Sequence, residues 1–217
     1  MSDQDTHPNN FSELRSIFKT YIDSYNAIYQ LKTQNEEELN KIYKMIKTEL
    51  IDSKKYLPKY VIKDILNIVT YNNRYTKSYL SLAKLISDEY HVKEVNNIKI
   101  ISNFLFFKEY GIKLDKFTEF GKFYIKNFNI HTENTIYRAI MYNNLEKFIS
   151  FTEREGFNED QALENELYPY EFMVGRYSLL ELCCYHGSVD CFKFLRTKFN
   201  SKMPRIFLFR RKSRDHE

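Results

Sequence analysis

The sequence predicts an all-α protein, an N-terminal antiparallel helical module followed by a short stack of helix–turn–helix pairs. Three observations carry that expectation. Apolar residues recur at three- and four-residue spacing through most of the first hundred positions, the period of a helix buried on one face. Alternation of apolar and polar residues never persists beyond four positions in those segments, so strands have little support. A segment starting at position 134 returns in residue character 44 positions later, which marks an internal repeat.

Residues 1–10 are polar and end in Pro8-Asn9-Asn10, a disordered lead-in to the first helix. Asn10 can cap that helix, and Glu13 stands three residues on, where a carboxylate reaches back to the cap. Leu14, Ile17, Phe18, Ile22, Tyr25, Ile28 and Tyr29 then predict a helix from Phe11 to about Leu31. Asn35 before Glu36, Glu37 and Glu38 supplies a cap and the negative charge that a helix N-terminus favours. Leu39, Ile42, Tyr43, Ile46 and Leu50 form the buried stripe of this second helix.

Pro58 suits the first turn of a third helix, whose stripe Val61, Ile62, Ile65, Leu66 and Val69 runs out near Tyr71-Asn72-Asn73. A fourth places Tyr75, Tyr79, Leu82, Ala83, Ile86 and Tyr90 on one face. A fifth runs from about Asn96 to Tyr110 and stops at Gly111, the residue type that accepts a left-handed terminator. Residues 11–111 therefore read as a helical module, 112–131 as a loop with a short turn or helix, 112–199 as the repeat region, and 200–217 as a basic tail.

In the repeat region, residues 134–151 overlay residues 178–195. Ile136 matches Leu180, Ala139 matches Cys183, Ile140 matches Cys184, Leu145 matches Val189, Phe148 matches Phe192 and Phe151 matches Leu195. Asn143 matches Gly187, both residue types that tolerate positive φ, and Glu146 matches Asp190 in the first turn of the helix that follows. The pattern describes a helix, a tight turn and a second helix, with small residues at 139 and 183 that admit a close neighbour.

Ser178-Leu179-Leu180-Glu181, Cys183-Cys184 and Gly187 to Leu195 together resemble the ankyrin repeat. They stand where that family has Thr-Pro-Leu-His, Ala-Ala, and the Gly-His turn with its outer helix. The order of a helical N-terminal region, the run Phe104 to Gly111 and the phrase Tyr177 to Leu195 is similar to the trichomonad-type family of ankyrin-repeat proteins. Glu181 replaces the histidine that hydrogen-bonds between repeats in the family, and with Ser178 it forms a capping box instead. The spacing exceeds the usual ankyrin period of about 33 residues, so the excess falls in a long inter-repeat loop from about Gly156 to Arg176.

Several classes of chemistry find no support in the sequence. Five glycines at 111, 121, 156, 175 and 187 never come closer than ten residues, which excludes a Gly-rich phosphate loop. Cys183, Cys184, His186 and Cys191 lie within nine residues but fall at apolar repeat positions, so the thiols read as small core hydrophobes and not as zinc ligands or nucleophiles. His7, His91, His131 and His216 look like scattered singletons with no shared site. Acidic pairs such as Glu153 with Glu155 read as solvated loop charge. No cofactor, metal or enzymatic activity is expected.

The formal charge of +4 is unevenly placed. Residues 196–217 hold eight Lys/Arg and two Asp/Glu, leaving 25 basic and 27 acidic residues before them. The tail Arg205 to Arg214 mixes Ile206, Phe207, Leu208 and Phe209 with five basic residues and admits three readings: a nuclear-localisation or nucleic-acid patch, a membrane-surface anchor, or sequence without selected meaning. Because repeat grammar stops where the tail begins, truncation by a frame change is the favoured account of it. The polar N-terminus lacks a secretory core, no apolar run spans a bilayer, and three clustered cysteines suit a reducing compartment, so an intracellular, cytoplasmic or nuclear location is expected.

The resemblance implies a non-enzymatic protein–protein interaction module that binds through loop tips and inner-helix faces. It points to Tyr168, Tyr170, Phe172 and Arg176 in the long loop as partner-binding residues, the alternative being that these aromatics cover the repeat core. Ala139, Asn143, Ser178, Leu180, Glu181, Cys183, Gly187, Asp190 and Leu195 define the repeats structurally. Leu180→Asp places an unpaired charge in the inner-helix core and is expected to cost about 3 kcal/mol or more in a denaturation experiment, an outcome that an unchanged melting temperature contradicts.

Overall fold

The computed structural model describes residues 10–120, 128–169 and 176–199. They fall into two compact units that divide between residues 120 and 121. The lead-in before Asn10, the loop residues Tyr170 and Phe172, and the basic tail lie outside the described residues. Those that are described are mostly helical.

In the first unit the expected first helix is two, α1 (Asn10–Ile17) and α2 (Lys19–Tyr29). The backbone at Phe18 leaves the α region at φ −96° and ψ 10°, although its N–H still donates to Leu14 O at 3.0 Å. Helix α3 (Glu36–Ile46) starts at Asn35, whose side-chain oxygen accepts the Glu38 N–H at 3.1 Å. It continues as a wider π-helical turn from Lys47 to Asp52. Helix α4 (Pro58–Ile68) opens on Pro58. A 3₁₀ turn, Asn73–Tyr75, leads into α5 (Thr76–Glu89).

Helix α6 (Ile100–Tyr110) ends at Gly111, left-handed at φ 70°. It starts four residues later than the apolar pattern suggests. Asn97 is itself held at φ 60°, and its N–H donates to the Asp115 carboxylate at 2.9 Å, so the backbone there serves a loop and not a helix.

Ile28, Ile46, Leu50, Val61, Ile62, Ile65, Leu66, Leu82, Ala83, Ile86 and Phe106 are fully buried in one cluster, so the helical stripes converge. Polar tips then fix how the elements meet. The buried Tyr79 hydroxyl donates to Ile28 O at 3.0 Å, and Asn72 Nδ2 donates to Leu31 O at 2.9 Å and to Tyr79 Oη at 3.0 Å. These bonds pin the end of α2 and the residues after it to the α4–α5 junction. Within α6, the fully buried Asn103 accepts the N–H groups of Leu114 and Asp115, beyond the helix, at 3.1 and 3.2 Å and donates to Asp115 O at 2.9 Å. One side chain thereby satisfies three backbone groups of an irregular segment that cannot satisfy them within itself.

The described part of the second unit opens on a 3₁₀ turn, Phe128–His131, and continues through α7 (Ile136–Met141) and α8 (Leu145–Thr152). After a connecting segment come strand β1 (Ala162–Glu164), strand β2 (Arg176–Ser178), α9 (Leu179–His186) and α10 (Val189–Lys198). Helix α7 packs against α8 and α9, and α10 packs against α9 and α8. Two helical hairpins therefore lie side by side, with Phe148 of α8 meeting Phe194 of α10 edge to face at 6.0 Å.

The connecting segment, expected as a long loop, carries a short two-stranded ladder. β1 and β2 pair antiparallel, with Leu163 opposite Tyr177. Both of these side chains are buried while Ala162, Glu164 and Arg176 are exposed, so the ladder closes over the repeat core. A three-residue alternation is too short to stand out in sequence.

Asn103→Ala leaves two buried N–H groups and a carbonyl without their partner. A loss of about 2–4 kcal/mol in chemical denaturation is expected, with faster amide exchange at Leu114 and Asp115.

Candidate functional site

The two hairpins of the second unit turn in the same way. Asn143 and Gly187 both take positive φ, 52° and 68°. At the turn, Asn144 N–H donates to Ala139 O at 2.8 Å, and Ser188 N–H donates to Cys183 O at 2.8 Å. Phe148 to Asn144 O and Phe192 to Ser188 O repeat at 2.9 Å. All these pairs are 44 residues apart, so the repeat read from side-chain character is also a repeat of backbone geometry.

The helix starts obey a different register. Ser178 caps α9, but in the first copy the cap is Thr135, one residue later than the aligned Asn134. Thr135 Oγ1 accepts the Arg138 N–H at 3.2 Å, and its one proton is shared between Ile130 O and Thr132 O, at 2.5 and 2.9 Å. A hydroxyl that bridges forward and backward locks the turn before α7 to its first turn.

At α9 the expected capping box is present. Ser178 Oγ accepts the Glu181 N–H at 3.3 Å, and the Glu181 carboxylate accepts the Ser178 N–H at 2.9 Å. Glu181 is buried, as are Ala139, Leu180, Cys183 and Leu195. Burial pushes the Cys183 and Cys184 thiols up, and Cys191 up to about 11 with the Asp190 charge adding to it. All three remain protonated near neutral pH, a state that suits packing and not nucleophilic attack.

Asn143 and Ser188 bond the two hairpins to each other at the turn. Asn143 Oδ1 accepts the N–H groups of Asp190 and Cys191, at 3.0 and 3.3 Å, and its Nδ2 donates to Asp190 Oδ2 at 2.7 Å. Residues 190 and 191 lie in the first turn of α10, whose own cap residue, Ser188, makes no side-chain cap. The Ser188 hydroxyl instead donates to Ile140 O of the first hairpin. One hairpin thus caps a helix of the next.

The long connecting segment behaves differently from an exposed tip. Tyr168 is only 3% exposed, with its ring against Tyr177 and Tyr185 at 5.2 and 4.9 Å. It belongs to the cover of the repeat core. Arg176 is exposed on β2, opposite Glu164.

The Tyr168 hydroxyl also corrects the reading of His131 as a scattered singleton. It is 2.8 Å from His131 Nε2 and 2.9 Å from His186 Nε2, so the fold gathers both around one oxygen. Burial lowers the His131 pKa to about 4, with the nearby Arg138 charge adding to the effect. His131 is 37 residues from Tyr168 in sequence, and no spacing rule announces the pair.

A more open feature lies beside α7 and α8. Arg138 donates to His131 O at 3.1 Å, and its guanidinium lies over the Tyr142 ring at 4.8 Å. With Glu133, Ala139, Asn144 and Lys147 they line a recess of about 210 Å³. Tyr142 and Lys147 are exposed.

No protein-family model, curated protein or solved structure matches the chain. Among the described residues no helix is long and apolar enough to cross a membrane, and no group of three or more His, Cys, Asp or Glu converges on a metal position.

Asn143→Gly keeps the left-handed turn but removes the cap on α10. It is expected to cost about 1–2 kcal/mol, and Asn143→Ala somewhat more because alanine also strains at positive φ; thermal or urea unfolding of the two variants reads the difference.

Proposed function

We propose that the second unit is an ankyrin-type recognition module that binds a protein partner and carries out no reaction itself. The observation that supports this reading is the side-by-side docking of two hairpins with matching turns, joined by Asn143 and Ser188. Such repetition yields a rigid platform on which turns and inner-helix residues project from adjacent units. Cys183 and Cys191 are buried and Cys184 half-buried, all three are protonated, and the histidine pair is turned onto Tyr168, so these side chains serve the scaffold.

The partner-facing residues we assign are Arg138, Tyr142 and Lys147, in place of buried Tyr168. Arg138 is held by a carbonyl and an aromatic ring, so little side-chain freedom is lost when its remaining N–H groups meet an acceptor. Tyrosine and arginine are also the residue types that dominate binding energy in protein interfaces.

The test is capture of partners by the full chain and by an Arg138→Glu/Lys147→Glu double variant. A roughly tenfold or greater loss of the captured species, with an unchanged melting curve, is expected from removing an anchor of this kind. Identical partner sets for the two proteins count against this surface.

A further inference from the structure

We propose that the recess beside α7 and α8 takes a side-chain carboxylate, so that the protein partner binds there through an acidic segment. This assignment rests on the recognition role proposed for the second unit and names the chemistry of the partner.

Hydrogen-bond donors converge on the recess. Arg138 commits one N–H group to His131 O at 3.1 Å, and among the described residues no carboxylate pairs with its guanidinium. The Tyr142 ring, with its centroid 4.8 Å from the guanidinium, supports one face of that fork. Lys147 is exposed on α8 and makes no ion pair among the described residues. Asn144 turns its side-chain oxygen to the Lys147 N–H at 2.9 Å, which leaves its amide nitrogen as a donor. A planar fork held at one corner and along one face matches the two oxygens of a carboxylate, and has little freedom left to lose.

Charge selects among anions. Arg138 and Lys147 bring two formal positive charges to the lining and Glu133 one negative, which leaves a single positive charge. One carboxylate neutralises it. A phosphorylated side chain, with a charge of about −1.5 to −2, sets excess negative charge against Glu133. A neutral amide gains less from the guanidinium than an ionised acceptor does. Glu133, Tyr142, Asn144 and Lys147 are all exposed around the recess of about 210 Å³, so a chain can cross it without ending there. That openness favours an Asp or Glu side chain over a chain terminus.

Titration of the isotope-labelled full chain with short peptides tests the assignment. The probes are acetyl-Gly-Tyr-Glu-Tyr-Gly-amide, the same peptide with Gln or phosphoserine in place of Glu, and the Gln peptide with a free C-terminal carboxylate. The readouts are the Arg138 Nε–H and Lys147 backbone N–H resonances. The Glu peptide is expected to bind roughly tenfold tighter than the capped Gln peptide, and about threefold or more tighter than the other two. In Arg138→Lys, which keeps the charge but loses the fork, the preference for Glu over Gln is expected to fall to about threefold or less. In Glu133→Gln the phosphoserine peptide is expected to gain about threefold. Equal binding of the Glu and capped Gln peptides overturns the assignment, as does tighter binding of the phosphoserine or free-terminus peptide. So does a Glu peptide that leaves the wild-type Arg138 Nε–H unmoved, a result read without any variant.

The capture experiment separates this assignment from the role it rests on. Partners lost from the Arg138→Glu/Lys147→Glu variant, with no preference for Glu over Gln, overturn the carboxylate and leave the recognition surface standing. A Glu preference with unchanged capture supports the carboxylate site and counts against the partner-binding role.

Discussion

The architecture of the second unit rests on a left-handed residue at each hairpin turn. At Gly187 that conformation costs little, because no Cβ meets the backbone. At Asn143 it carries a steric cost of roughly 1–2 kcal/mol, and the side chain offsets it with three hydrogen bonds to the first turn of α10. The strained residue is therefore also the joint between hairpins. Without positive φ at 143 the amide would not be aimed at α10, and Ser188 would not face Ile140 O. Position 187 has no α10-like neighbour among the described residues, and glycine suffices there.

Tyrosine supplies much of the remaining specificity. Its ring fills apolar space while its hydroxyl reaches a polar partner at the edge of that space. Tyr79 does this beneath α2, Tyr25 donates to Asp64 at 2.8 Å and Tyr90 donates to Asp52 at 2.6 Å. In the second unit Tyr168 serves the histidine pair and Tyr177 donates to Pro169 O at 2.5 Å. Hydrophobic burial alone would let elements slide past one another, whereas a buried hydroxyl must find its acceptor and so selects one register. The abundance of tyrosine in the chain has this structural use, whatever set its composition.

Features that depend on residues three or four apart were legible from sequence. Asn35 with Glu38, Pro58 at its helix start, Gly111 at a helix end and the Ser178–Glu181 box each appear as the spacing implies. The repeat was legible too, because matching buried positions preserve their order. The cap of the first copy was not legible, since the alignment sets Asn134 against Ser178 while Thr135 makes the bonds. The candidate site was the least legible part. Tyr168 was read as a loop aromatic open to partners or folded onto the core, and its burial decides for the core.

Local hydrogen-bond geometry and apolar periodicity thus determine, from the sequence alone, where most helices start and stop and that two hairpins resemble each other. Only the tertiary structure decides the β1–β2 ladder, the Asn103 clamp on residues 114 and 115, the cross-hairpin cap of Asn143 and the meeting of His131 with His186. The reason is distance along the chain. A bond between residues a turn apart is implied by the helix itself, but one spanning tens of residues exists only once packing has brought its two ends together, and side-chain identity does not encode that path.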